Sequence, residues 1–431
     1  MVKLLIKGGR IVDPSQGIDK SGDILISEGQ ITAVEDKIAP ATDMRQIDAW
    51  DFIVCPGLID MHTHLREPGQ EHKETIASGA AAAVSGGYTA VCAMPNTDPV
   101  ADNQAVIAFV KERGMLAGLA RVYPVGAITK GSQGEELAEV NDLVSAGAVA
   151  LSDDGQPVMN AAVMRRALEY AKPFGITIIS HAEDKNLSSG GVMHEGEMST
   201  RLGLAGIPAL AEELAVIRDI LLAEAAGGRL HLAHVSTAGA VEMVRQAKKR
   251  GIAVTAEAAP HHFTLTHRAV AGYHTSAKVN PPLRTPGDAE AVIQGLADGT
   301  LDAVATDHAP HSQEEKDVEF DLAPFGMIGL ETALPLVVTK LIKPGHMDWS
   351  RAVSLLSANP ARILNLPGGT LKPESVADIT IINPELEQEV DSGKFKSKSR
   401  NTPYEGWVLQ GWAEYTIVGG KVVYRRRQKE E

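Results

Sequence analysis

Apolar and polar positions change their rhythm twice along the chain. Over roughly the first fifty residues, short apolar runs are broken by glycines. "KLLIKGG" and "RIVDP" flank Gly8 and Gly9, and "GDILISEG" and "QITAVED" flank a second glycine-bearing turn. Extended runs joined by such breaks predict β-hairpins. The pattern returns near the C-terminus, where "ADITIINP" reads as a strand and "AEYTIVGGKVVYR" as strand, Gly-Gly, strand. "IKGGRIV" and "IVGGKVV" look alike, and the two β segments are expected to join in one small sheet domain.

Between these ends, eight apolar runs alternate with stretches rich in helix formers. The runs are 52–64, 88–96, 120–129, 148–155, 176–184, 230–237, 252–262 and 301–311. The intervening "AAVMRRALEYAKPFG" and "EELAVIRDILLAEAAGG" end in glycine, as helix C-termini do. The runs are continuously apolar, which suits parallel strands buried on both faces. The expected fold is α/β: a (β/α)8 TIM-type barrel over residues 55–365, beside a small β-sandwich domain built from 1–54 and 366–431. A doubly wound sheet fits less well, because no glycine-rich phosphate loop follows the first strand.

Composition narrows the class. Hydrophobic residues make up 44% and charged residues 22%, the balance of a soluble globular protein. A net charge of −14 argues against nucleic acid or an anionic membrane as partner. No run reaches the ~18 apolar residues of a membrane span. The N-terminus lacks signal-peptide architecture. Cys55 and Cys92 each sit in an apolar run and read as buried free thiols, so a cytoplasmic location is expected. The terminal "YRRRQKEE" reads as a solvated tail.

The runs share one chemical feature: each begins apolar and finishes in a polar residue. In a barrel, strand C-termini and the loops after them form the active face. His62, His64, Asn96, Asp153, Asp154, His181, His234, Asp307 and His311 are therefore expected to converge. His62 and His64 project to the same side because they are two residues apart in a strand. His181, His234 and Asp307 end three further strands. Four imidazoles with carboxylates suit zinc, and the set exceeds what one catalytic zinc needs. Two metals bridged by a carboxylate would use it fully. "SDDG" offers the bridge, with Asp154 preferred and Asp153 the alternative. The other histidines, His261 and His262 among them, read as structural.

"GLIDMHTHLREPG", "AMPNTDPV", "SDDG", "SHAED", "HVST", "KVNPPLR", "ATDHAPH" and "PFGMIGLETALP" together resemble class I dihydroorotase, of the amidohydrolase superfamily. The likeness covers nearly the whole chain. It implies reversible cyclisation of N-carbamoyl-L-aspartate to dihydroorotate in pyrimidine biosynthesis, with two Zn²⁺ per chain. His62 and His64 would bind the first metal and His181 and His234 the second. Asp307 would touch the first metal and shuttle the proton. Many superfamily members bridge their metals with a carboxylated lysine. "ALSDDG" instead resembles the aspartate-bridged dihydroorotases, which supports Asp154. Arg66, Asn96 and His311 would hold the substrate carboxylate. Asn280 and the backbone of Phe325 and Gly326 would hold the ring. Two rivals are an allantoinase or hydantoinase, and a non-catalytic subunit of a pyrimidine-pathway complex. Arg66 with Asn96 argues against the first, and the full ligand set against the second. The resemblance implies a small-molecule substrate, a homodimer as a common form, and association with aspartate transcarbamoylase in some aspartate-bridged members. Residues 311–326, charged and following the last ligand, are expected to form a mobile loop.

Overall fold

A computed structural model describes residues 3–42 and 44–426. The end of the charged tail, 427–431, lies outside the described residues. The eight apolar runs each contribute a barrel strand: Leu58–Thr63, Tyr88–Ala93, Arg121–Pro124, Ala150–Ser152, Thr177–Ser180, Leu230–Leu232, Val254–Ala258 and Ala303–Val304. The first three pair in parallel, as do the last five. Backbone contacts close the ring. Gly126 N donates to Ala150 O at 3.0 Å between the third and fourth strands, and His64 N donates to His308 O at 2.8 Å between the eighth and the first. Inside the barrel Met61, Cys92, Val125 and Ile179 pack with small Ala90, Ala150, Ala233 and Ala303. A larger apolar layer joins the strands to the outer helices. Asn103, Asn160, Thr237 and Thr285 start four of those helices by accepting backbone N–H groups on their side-chain oxygens. Among the described residues no helix is long and apolar enough to cross a membrane.

Both chain ends meet in one eight-stranded sheet. Its order is Lys421–Arg425, Val408–Val418, Ile379–Glu389, Ile53–Pro56, Lys3–Asp13, Ile18–Ser27 and Gln30–Glu35, with Met44–Asp48 also beside Lys3–Asp13. It has its own core, including Ile6, Ile24, Ile31, Val54, Ile379 and Ile417.

Two local expectations are corrected. Residues 52–64 are two strands, not one. Ile53–Pro56 lies between Lys3–Asp13 and Ile379–Glu389, so the terminal sheet extends past residue 54, and the barrel begins only at Leu58. Gly57 makes the break: a Cβ there would lie 2.1 Å from Thr89 Oγ1. The two glycine pairs also behave differently. Gly419 and Gly420 both take positive φ (55° and 74°) and turn a hairpin. Around Gly8 and Gly9 only Gly8 does so (73°), and Lys3–Asp13 runs on as one strand with a bulge between Ile6 and Gly9. Asp23 Oδ1 accepts the freed Gly8 N–H at 2.8 Å.

Candidate active site

The barrel strands deliver their polar ends to one point. His62 lies within the first strand and His64 just after it. Asp154, His181, His234 and Asp307 follow the fourth, fifth, sixth and eighth. All six are buried. Two groups of donor atoms form and share Asp154: His62, His64 and Asp154, and Asp154, His181 and His234. Asp154 Oδ1 is 3.3 Å from His62 Nε2, 3.4 Å from His181 Nδ1 and 3.5 Å from His234 Nε2. Asp154 Oδ2 is 3.4 Å from His64 Nε2. Asp307 Oδ1 joins from the side, 3.1 Å from His64 Nε2 and 3.7 Å from His62 Nε2. Asp153 turns away: its carboxylate accepts the N–H groups of Ile128 and Thr129 at 2.8 and 3.1 Å, and the Thr129 hydroxyl.

Neighbouring side chains aim the imidazoles. His62 Nδ1 donates to Glu257 Oε1 at 2.8 Å, which leaves Nε2 as a lone-pair donor facing Asp154. His181 Nε2 donates to Glu183 Oε2 at 3.0 Å, which frees Nδ1. His64 Nδ1 donates to Asn96 Oδ1 at 2.9 Å. Such partners fix the tautomer a metal ligand requires. His62 Nε2 and Asp154 Oδ1 are buried with no hydrogen-bond partner. A buried polar atom left unpaired is costly, and a cation between these two groups would satisfy both. The donor set therefore fits a metal site. Burial works against charge on Asp154, but His62, with His181 and His234, holds its carboxyl well below the usual range. Burial likewise opposes charge on Asp307, but the contact with His64 and the surrounding imidazoles of His62, His64 and His234 together hold its carboxyl below the usual range. Arg66, His234 and Asp307 have φ of 63°, 33° and 50°. Left-handed backbone costs a non-glycine residue about 1–3 kcal/mol, and such strain gathers at functional sites.

A cavity of about 460 Å³ opens over the cluster, lined by His64, Arg66, Asn96, Asn280, His311, Phe325 and Gly326, among others. The structure thus brings every residue predicted for substrate contact to its wall. The Arg66 guanidinium is buried, and the group that accepts from it is neutral: Nε donates to Pro310 O at 3.1 Å, while Nη2 only borders His311 Nε2 at 3.3 Å. Burial pulls its pKa down to about 10. His311 Nε2 also donates to Phe325 O at 2.9 Å. Asn280 Nδ2 donates to Glu183 Oε2 at 3.0 Å.

Four contributors escaped the sequence reading. Glu257 receives His62 on one oxygen and His231 Nε2, at 3.0 Å, on the other. A lone Glu in the apolar run 252–262 was the available signal, since a buried carboxylate needs partners. Glu183 and Lys185 form an ion pair of 2.8 Å at the rim. Asn401 left no local signal. Its side chain accepts His311 N–H at 3.2 Å and donates to Ala309 O and Gly326 O at 3.1 and 3.2 Å, tying the late loop to the cavity wall.

Comparison with known proteins agrees with this geometry. The family model "Dihydro-orotase-like" matches residues 52–240. The chain is 60% identical to a dihydroorotase of Pelotomaculum thermopropionicum, over 99% of each chain. It is 54% identical to a dihydroorotase of Geobacter sp. strain M21, over 98% of this chain and all of that one. Among solved structures, an L-hydantoinase (dihydropyrimidinase) from Arthrobacter aurescens superposes with a TM-score of 0.88 at 25% identity, over 99% of this chain and 97% of that one. A dihydropyrimidinase from Brevibacillus agri, at 22% identity and a TM-score of 0.85, shares the fold. Relatives this similar over nearly the whole chain show that it belongs to the dihydroorotase family of cyclic-amide hydrolases.

Proposed function

We propose that this chain interconverts dihydroorotate and N-carbamoyl-L-aspartate with two Zn²⁺: His62, His64 and Asp307 would hold the first, His181 and His234 the second, and Asp154 would serve both. Bound there, the two ions would supply Lewis acidity for the ring carbonyl and a water deprotonated near neutral pH. Asp307 accepts a proton at its carboxylate from the attacking water and passes it to the leaving ring nitrogen. In the cyclising direction it returns the proton along the same path. Arg66, Asn96 and His311 hold the exocyclic carboxylate, and Asn280 with the backbone of Phe325 and Gly326 holds the ring. The residue ranges 3–42, 44–56 and 366–426 act as the sheet that braces the barrel. Two buried free thiols, Cys55 and Cys92, suit a reducing cytoplasm.

The observation that carries the substrate reading is Arg66. Among the described residues its hydrogen bonds go to no carboxylate, and it faces a cavity floored by the metal donors. A planar cationic fork there suits a ligand that brings its own carboxylate. The test is hydrolysis of dihydroorotate, allantoin and hydantoin by the purified, zinc-loaded chain. Turnover of dihydroorotate alone is expected. Turnover only of a ring amide lacking the carboxylate would overturn the reading. Activity that emerges only when aspartate transcarbamoylase is added would identify a needed partner.

A further inference from the structure

Residues 312–326 bring Phe325 and Gly326 back to the cavity with one helical turn, Gln313–Lys316, of their own. So long an excursion needs anchors. Two lysines supply them, and both are buried, Lys278 at 2% exposure and Lys316 at 6%. Lys278 Nζ donates to Phe320 O at 2.8 Å and Asp321 O at 3.0 Å. It also lies 4.7 Å from the centroid of the Phe325 ring. The carbonyl of the same residue accepts Gly326 N–H at 2.8 Å. Lys316 Nζ donates to Pro324 O at 2.7 Å and Thr275 O at 3.1 Å, and Thr275 Oγ1 donates back to Lys316 O at 2.7 Å. These partners are carbonyls and ring faces, which solvate a buried ammonium only in part. Burial lowers the Lys278 pKa to about 8, and burial with repulsion from Lys278 lowers that of Lys316 to about 7.

The loop carbonyls that these ammonium groups grip belong to Phe320, Asp321 and Pro324, one to five residues before Phe325. Lys278 also stands two residues before Asn280, which lines the same cavity. We propose that Lys278 and Lys316 are positioning residues, whose ammonium groups fix the loop carbonyls and thereby set where the Phe325–Gly326 backbone and Asn280 meet the substrate ring. The proposal rests on the reading that those residues hold the ring.

The test uses the full-length, zinc-loaded enzyme with Lys278→Met and Lys316→Met made separately, so that one variant decides if the other does not fold. Methionine fills the volume without a buried charge but leaves the loop carbonyls without their donor, so the melting temperature should hold or fall modestly. Loss of a charge-assisted hydrogen bond should raise KM for dihydroorotate at least about tenfold. The kcat should stay within about threefold and metal content should be unchanged. Amide hydrogen exchange over residues 318–326 should accelerate. If the unaltered chain turns over dihydroorotate and folded variants keep its KM and exchange rates, the lysine proposal is overturned and the ring reading stands. If the unaltered chain does not turn it over, both fall.

Discussion

Replacing Arg66 with methionine isolates the charge that selects the substrate. Arg66 is buried, its Nε is committed to Pro310 O, and its Nη2 borders His311. The fork therefore has N–H groups left for a ligand. Charge-assisted hydrogen bonds contribute about 1.5–3 kcal/mol each. Truncating one partner of a buried, hydrogen-bonded charge pair costs about 2–5 kcal/mol. Taking ~3 kcal/mol, KM for dihydroorotate should rise ~150-fold at ~1.4 kcal/mol per tenfold. The folded state should not suffer, because burial already pulls the guanidinium down to about 10 and methionine relieves that cost. The assay is steady-state hydrolysis followed by loss of dihydroorotate absorbance. Metal analysis and a melting curve on the same sample serve as controls, and dihydrouracil, the same ring without the carboxylate, serves as comparison substrate. Dihydroorotate should lose and dihydrouracil should not. A KM that moves less than ~5-fold, or an equal loss for both substrates, would refute the assignment of Arg66 to the carboxylate.

Asp307→Asn should keep bound metal while kcat falls by ~10²–10⁴, the usual worth of a positioned acid–base group; near-normal turnover would remove Asp307 from proton transfer. Asp154→Ala and Asp153→Ala should separate cleanly in elemental analysis and thermal melting. The first removes the carboxylate shared by both donor groups and should bind less than the full metal complement. The second removes the acceptor for Ile128 and Thr129, and should keep its metal but melt lower. The opposite pattern would exchange their roles.

The barrel was legible because its strands are buried on both faces and carry long apolar runs. The donors were legible because strand geometry repeats every two residues: His62 and His64 end with ring centroids 5.3 Å apart. Asp154 and Asp153 could not be separated by spacing, since adjacent residues at a strand end can each turn either way. Only the N–H donors of Ile128 and Thr129 decide which one turns away. The break at Gly57 was concealed inside an apolar run, although Pro56-Gly57 is a breaker pair. What requires a glycine there is Thr89 on the neighbouring strand, a contact that local sequence does not encode. Asn401 was illegible for the same reason. It touches residues 75 to 92 positions away, through an amide that looks like any loop asparagine.

The central place of Ile53–Pro56 in the terminal sheet has a consequence for synthesis on the ribosome. One of its edges pairs with Lys3–Asp13, which emerges earlier, but the other waits for Ile379–Glu389. At ~5–20 residues per second, the intervening stretch takes roughly 15–65 s to translate. Throughout that interval the nascent chain carries an open, apolar strand edge of the kind that invites intermolecular pairing. Asn401 emerges later still, so a ribosome-bound chain has its barrel strands well before the cavity wall is tied in place.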